Sequence, residues 1–363
     1  MKLLIVTGGT GGHIYPALAL ADCAMQRWKD AEILFIGNDD RMEAKEIPAH
    51  GYAFSALHTS GFSGSLWHKG KAFMQMLIAK GQAKKIIKQF QPDVVIGFGG
   101  YVSAPVMLAA SSLGISTMIH EQNSIVGAAN RLVMGKVDAI VTCYEKCNEV
   151  FHGNVRLLGN PRATLAAQTP FDEAYFLSLG LSPAKRTVLI VMGSLGSTSV
   201  NEVMKDALVA IPEGIQVLYV SGRNNYEEMK DCFDNPDIHV VDYVRTLSIL
   251  DHIDLLVCRA GATTIAELSA KGIASILIPS PYVAHNHQYF NAMQLCEQGA
   301  ALMIEEKDLC ADTLNAKMHE LLDDPLRLAD VAACAKKMGK PNAADDMLGW
   351  IEQLKGDGNG IEK

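Results

Sequence analysis

The chain has 363 residues, 40 of them acidic and 32 basic for a formal net charge of −8, with 49% hydrophobic and 20% charged side chains. Such a composition is that of a globular protein with enough apolar material for two ordinary α/β domains, and it argues against general nucleic-acid binding. No apolar run reaches the ~18 to 20 residues of a membrane span, Leu3 to Val6 is too short for the core of a secretory leader, and eight cysteines without redox or zinc spacing are expected to be free, mostly buried thiols in a cytoplasmic protein.

In chain order, apolar runs at Leu3 to Val6, Ile33 to Ile36, Val94 to Ile96, Thr117 to Ile119 and Ala139 to Val141 alternate with segments of helical period. That rhythm predicts a parallel sheet with crossover helices. It is repeated by Val188 to Met192, Val217 to Val220, His239 to Val241, Leu255 to Val257 and Ser275 to Ile278, so two similar units are expected. Gly159-Asn160-Pro161 through Thr169-Pro170 is turn-rich and reads as the hinge. A last helix is predicted from Asn342, its N-cap, to Lys355, with Met347, Trp350, Ile351 and Leu354 on one face and a frayed glycine-rich tail beyond. Ser65 to Phe90 mixes Trp67, Phe73, Met74, Met76, Leu77 and Ile78 with six lysines and no acid. It reads either as a crossover helix with a solvated lysine face or as a patch for anionic lipid.

Small-residue loops follow several of the predicted strands. Gly8-Gly9-Thr10-Gly11-Gly12-His13 opens a helix, so its glycines would let a backbone approach an anion at the helix N-terminus. Gly97 to Pro105 and the Gly193-Ser194 turn have the same setting, and in open α/β sheets ligands collect beyond the carboxyl ends of the strands. His13, at a positive helix end, is expected to be a neutral imidazole able to act as base or donor, or else a packing residue. Glu121, within His120-Glu121-Gln122-Asn123, reads as a general base or as the partner of a local amide. In the second half, Thr263 and Thr264 suit phosphate oxygens, and Glu267 suits the two hydroxyls of a ribose or a surface position. No Asp-x-Asp pair offers to hold a nucleotide-bound cation, so metal-free phosphate handling without a cofactor is expected.

Taken in order, Gly8 to His13, Gly97 to Pro105, His120 to Asn123 with Gly127 and Asn130, Gly193 to Gly196, and Cys258 to Glu267 with Gln288 to Ala292 resemble the successive motifs of a family. It is the bacterial peptidoglycan N-acetylglucosaminyltransferases, and the resemblance spans nearly the whole chain. It implies the GT-B fold, two Rossmann-like doubly wound domains facing across a cleft. The expected domains are 1–162 for the acceptor and membrane, 163–341 for UDP-N-acetylglucosamine, and 342–363 as a helix returning to the first domain plus a tail. The implied reaction is an inverting transfer to the muramoyl 4-hydroxyl of undecaprenyl-diphosphoryl-N-acetylmuramoyl-pentapeptide. By the resemblance, Ser194 meets the diphosphate, Ala262, Thr263 and Thr264 line the helix end, Glu267 takes the ribose, Val244 the uracil and Gln288 the sugar. Thr10, Gly11, Gly12, Asn123 and Arg162 complete the substrate contacts, with His13 the first candidate for the base, Glu121 the second, and Tyr101 a positioning group.

Leu195 and His287 stand where many members carry glutamine, and Arg162 lies one place earlier than the family's arginine. A lipid-anchored acceptor also shifts the lysine-rich segment toward the lipid reading, as an anionic membrane surface on the cytoplasmic face that the protein meets peripherally. Another GT-B enzyme, such as a nucleotide-sugar epimerase, is the nearest alternative. A dinucleotide oxidoreductase or sensor is weakened by Ile14, which stands at the third fingerprint glycine.

Overall fold

The computed structural model describes residues 1–61, 66–193, 198–209 and 211–358. Two compact units result, Met1–Thr164 with Asn342–Lys363, and Leu165–Pro341. The first contains strands β1 (Lys2–Val6), β2 (Glu32–Asn38), β3 (Ala53–Leu57), β4 (Val94–Gly97), β5 (Ser116–Glu121), β6 (Ala139–Thr142) and β7 (Val155–Leu157). Its helices are α1 (Gly11–Arg27), α2 (Glu43–Ala49), α3 (Leu66–Phe90), α4 (Ser103–Ser111) and α5 (Ala128–Val133), and α6 (Pro161–Gln168) crosses the division between the units.

The second unit holds β8 (Arg186–Val191), β9 (Ile215–Val220), β10 (Ile238–Val241), β11 (Leu255–Cys258), β12 (Ala274–Leu277) and β13 (Leu302–Met303). Its helices are α7 (Glu173–Ser178), α8 (Thr198–Ala207), α9 (Tyr226–Met229), α10 (Ala262–Lys271), α11 (His287–Cys296), α12 (Ala311–Leu322) and α13 (Pro325–Met338). A final helix, α14 (Ala343–Gly358), belongs to the first unit.

All described pairings are parallel, in the orders β3-β2-β1-β4-β5-β6-β7 and β10-β9-β8-β11-β12-β13. Each sheet thus reverses direction at its first strand, β1 or β8. Ligand crevices of doubly wound sheets form at such a switch point. The central strands are apolar on both faces because both are covered: Leu3 and Ile5 enter one core while Leu4 and Val6 enter another.

Helix α14 closes the first of those cores with Met347, Leu348, Trp350, Ile351 and Leu354. Burying each large side chain contributes ~1.5 to 3 kcal/mol. The exposed pair of Arg27 with Glu352 at 2.8 Å and the half-exposed pair of Lys355 with Asp93 at 2.9 Å add ~1 kcal/mol or less apiece, so packing decides the docking of this helix. The Arg156 guanidinium caps the Trp350 ring at 4.2 Å.

Several elements differ from the sequence expectation. The presumed hinge contains α6, because Pro161 is its first residue, where a missing N–H and a fixed φ favour a helix start. Helix α14 continues through Gly356 to Gly358 instead of fraying after Lys355. Strands β3, β7 and β13 lacked a sequence signal: β3 is half-exposed and the others have three and two residues. All eight cysteines are free, but only Cys23, Cys147 and Cys258 are buried while Cys232 and Cys310 are exposed.

Candidate active site

In the first unit the loop after β1 packs directly against the loop after β4. Gly100 has φ +83°, and a Cβ placed there would lie 2.4 Å from the Gly8 carbonyl oxygen, so only glycine permits this approach. His13 sits in the first turn of α1, its Nδ1 2.9 Å from that same Gly8 oxygen and 3.3 Å from Thr10 Oγ1. A carbonyl oxygen only accepts, so Nδ1 carries a proton, and the neutral tautomer this contact selects is the one whose lone pair is on Nε2. The Nε2 edge lies over Gly99, where an added Cβ would come within 2.9 Å of it. Tyr101, half-exposed, lays its ring across Gly61. Thr10 caps α1 in extended conformation without a side-chain bond to a helix backbone amide, and Gly12 is half-buried beside it. Gly11 lies under the Tyr15 ring, 2.9 Å from an added Cβ.

Glu121 is the last residue of β5 and is 1% exposed. Its Oε2 accepts from the Gly127 amide at 2.8 Å and Asn130 Nδ2 at 2.9 Å, and its Oε1 accepts from the Asn123 amide at 3.1 Å. Burial pushes its carboxyl above the ordinary value, while these donors pull the other way. Both oxygens are engaged by local amides, so Glu121 shapes the turn that presents Asn123. Neighbouring His120 donates Nε2–H to the Gly159 carbonyl at 3.1 Å and stacks on Phe98, and burial lowers its pKa to about 4, which leaves it neutral. Arg162 is the second residue of α6, and the Asn160 side chain accepts from its amide at 3.0 Å.

In the second unit, Ala262, Thr263 and Thr264 are the first three residues of α10, whose cap Gly261 offers no side-chain acceptor and whose first turn contains no acid. The orphan amides of this helix end therefore form a positive site suited to an anion. Glu267 lies one turn further along and is 7% exposed, so it is not a surface glutamate. Val244 is buried before the short helical turn at Thr246–Ser248. Gln288 holds the preceding loop, its Oε1 accepting the Ser280 amide at 2.8 Å. That loop takes left-handed backbone at His285 (φ 55°) and Asn286 (φ 51°) and borders a cleft of about 430 Å³ among Ser199, Pro279, Tyr282, Tyr289 and Glu306. Ser194, with Leu195, lies outside the described residues.

Two carboxylates had no functional reading in the sequence. Glu306 pairs with Arg259 at 2.6 Å, both nearly buried, and accepts from Ser199 Oγ at 3.0 Å, which ties the loop after β11 to the start of α8. Glu43 is fully buried behind the first glycine loop and accepts the Gly9 amide at 3.1 Å. An acid at the start of a helix reads as a dipole complement, so nothing local marked either role.

Comparison with known proteins gives this geometry its context. Residues 3–142 match the glycosyltransferase family 28 N-terminal domain and residues 187–347 its C-terminal domain. UDP-N-acetylglucosamine–N-acetylmuramyl-(pentapeptide) pyrophosphoryl-undecaprenol N-acetylglucosamine transferases align end to end. That of Limosilactobacillus fermentum is 40% identical over 98% of this chain and 99% of its own, and that of Leuconostoc citreum is 41% identical over 97% and 98%. The crystal structure of Acinetobacter baumannii MurG superposes with TM-score 0.80 at 26% identity, covering 97% of this chain and 99% of that one. A UDP-N-acetylglucosamine 2-epimerase-like structure from Listeria monocytogenes superposes with TM-score 0.70 at 14% identity over 97% and 96%, a likeness of fold alone. With two parallel-sheet α/β units, glycine loops in the family's order along the sequence and near-complete alignment, the chain belongs to the UDP-N-acetylglucosamine–N-acetylmuramyl-(pentapeptide) pyrophosphoryl-undecaprenol N-acetylglucosamine transferase family.

Proposed function

We propose that this chain transfers N-acetylglucosamine from UDP-N-acetylglucosamine to the muramoyl 4-hydroxyl of undecaprenyl-diphosphoryl-N-acetylmuramoyl-pentapeptide, with inversion to the β linkage. The observation that carries the chemistry is the His13–Gly8 hydrogen bond, which fixes the tautomer a base requires. His13 Nε2 takes the hydroxyl proton as that oxygen forms its bond to C1 of the sugar, while the C1–oxygen bond to the diphosphate breaks and UDP departs with the electron pair. The α10 N-terminus, at Ala262 to Thr264, stabilises charge growing on the diphosphate. Glu267 holds the ribose hydroxyls, Val244 flanks the uracil, Gln288 reads the sugar, and Ser194 is assigned to the diphosphate. Thr10, Gly11, Gly12, Asn123 and Arg162 are assigned to substrate contacts from the first unit. Tyr101 positions the acceptor, and Glu121 holds the Asn123 turn instead of acting as the base.

We assign membrane docking to α3. Phe73, Met74, Leu77 and Ile78 are about half exposed, while Ala72, Ala79, Ala83 and Ile87 on the other side are buried. Lys84 and Lys85 stand two turns along the same outer stripe, where they would meet anionic head groups as the apolar residues enter the acyl boundary. Trp67 and Lys69 side chains lie outside the described ones. The proposed docking is peripheral, on the cytoplasmic face; among the described residues no helix is long and apolar enough to cross a membrane.

A transfer assay with labelled donor and a short-chain lipid acceptor tests the reading. Disaccharide formed only when acceptor is present supports it, whereas acceptor-independent conversion of the donor sugar would replace it with an epimerase. His13→Ala should lower turnover by roughly 10²- to 10⁴-fold while donor dissociation changes little. Near-parental turnover, where chemistry limits the rate, removes His13 as the base.

A further inference from the structure

We propose that Glu43 is a positioning residue for His13, acting on it through the Gly8–Gly9 peptide group. The inference rests on His13 being the base. Glu43 is 0% exposed, and each of its oxygens has one amide donor: Oε2 accepts from Gly9 N at 3.1 Å and Oε1 from Asn38 N at 3.0 Å. The niche around it requires glycines. A Cβ on Gly37 would lie 2.5 Å from Glu43 Cγ, and a Cβ on Gly8 would lie 2.5 Å from Oε1.

The N–H of Gly9 and the C=O of Gly8 belong to one peptide plane, and in a trans peptide they point in opposite directions. Glu43 grips the N–H end, and the C=O end accepts from His13 Nδ1–H at 2.9 Å. Carboxylate, peptide and imidazole therefore form a continuous hydrogen-bonded chain. The negative carboxylate polarises the peptide and makes the Gly8 oxygen a stronger acceptor, as successive hydrogen bonds reinforce one another in a buried setting. The couple does for His13 what a carboxylate does when it bonds a catalytic histidine directly: it fixes ring orientation and tautomer, and it favours the imidazolium that forms when the hydroxyl proton arrives. Gly100, pressed against the Gly8 oxygen, blocks movement of the peptide from the other side.

Glu43→Gln retains the shape but cannot accept from both amides, since one end of its side chain becomes a donor facing a donor. Turnover should fall roughly 10- to 100-fold while donor dissociation, measured by calorimetry, stays within about twofold. Nitrogen NMR of His13 should show loss of the dominant Nδ1–H tautomer. In a His13→Ala background the same substitution should cost less than about twofold, because its effect is exerted through the missing ring. Gly37→Ala, which displaces Glu43 without altering its carboxylate, supplies an independent variant should Glu43→Gln not fold, with the same losses expected. Equal loss in both His13 backgrounds with an unchanged His13 tautomer overturns the role of Glu43. Failure of the base assignment itself appears separately, as parental turnover in the His13→Ala single variant.

Discussion

Asn130→Ala tests whether Glu121 anchors the loop from Asn123 to Gly127. Asn130 is 3% exposed and donates from Nδ2 both to Glu121 Oε2 at 2.9 Å and to the His120 carbonyl at 3.1 Å. Alanine leaves the buried carboxylate with its two backbone donors and leaves the His120 oxygen without this one. A hydrogen bond to a charged group contributes ~1.5 to 3 kcal/mol, so a total destabilisation of about 2 to 4 kcal/mol at neutral pH follows. The pH dependence carries the sharper sign. Burial already holds the Glu121 carboxyl above its ordinary value, so the folded state binds that proton more tightly than the unfolded chain does. Stability from this group is present at acid pH and lost as pH rises from the ordinary carboxylate value through the raised one. Removing a donor raises the folded value further and widens that window, so the variant should lose more at pH 7.5 than at pH 5. Urea unfolding of parent and variant at both pH values measures it. A loss under about 1 kcal/mol, or one as large at pH 5 as at pH 7.5, would refute the anchoring role.

The doubly wound character of both units was legible because central strands such as Leu3 to Val6 and Val188 to Ile190 are buried on both sides and so are continuously apolar. The edge strands β3, β7 and β13 were not, since a short or half-exposed segment such as Val155–Leu157 takes its conformation from pairing with β6 rather than from its own composition. The site divides in the same way. The placement of His13 beside the glycine loop was legible because it is local: its partner Gly8 is five residues away. For Glu121, sequence left base and amide partner equally open, because the choice depends on how the turn returns Gly127 and Asn130 onto the carboxylate. Glu43 meets Gly9 across 34 residues that include α1 and β2, and no local pattern encodes that contact.

Further outcomes follow from the same contacts. Glu267→Ala should weaken UDP-N-acetylglucosamine binding by ~1.5 to 3 kcal/mol through loss of a bidentate ribose acceptor, with a smaller change in the chemical step; unchanged calorimetric affinity in a folded variant removes that role. Replacing Lys80, Lys84 and Lys85 by glutamine should reduce binding to anionic vesicles by up to about 3 kcal/mol and flatten its salt dependence, yet spare transfer to a soluble short-chain acceptor; equal sedimentation with vesicles returns α3 to a solvated lysine face. The two loops of the first unit allow a paired test. Gly9 and Gly100 both have positive φ, at 92° and 83°, so alanine is strained at either by roughly 1 kcal/mol or more. A Cβ at Gly9 meets nothing within 4 Å, whereas at Gly100 it meets the Gly8 carbonyl at 2.4 Å, and backbone cannot turn aside as a flexible side chain does. Gly100→Ala should therefore cost a further ~1 to 3 kcal/mol of stability and displace the oxygen that holds His13 Nδ1. Its turnover should fall well below that of Gly9→Ala under identical conditions. Equal stability and equal turnover in the two variants would mean that the loop contact does not position the histidine.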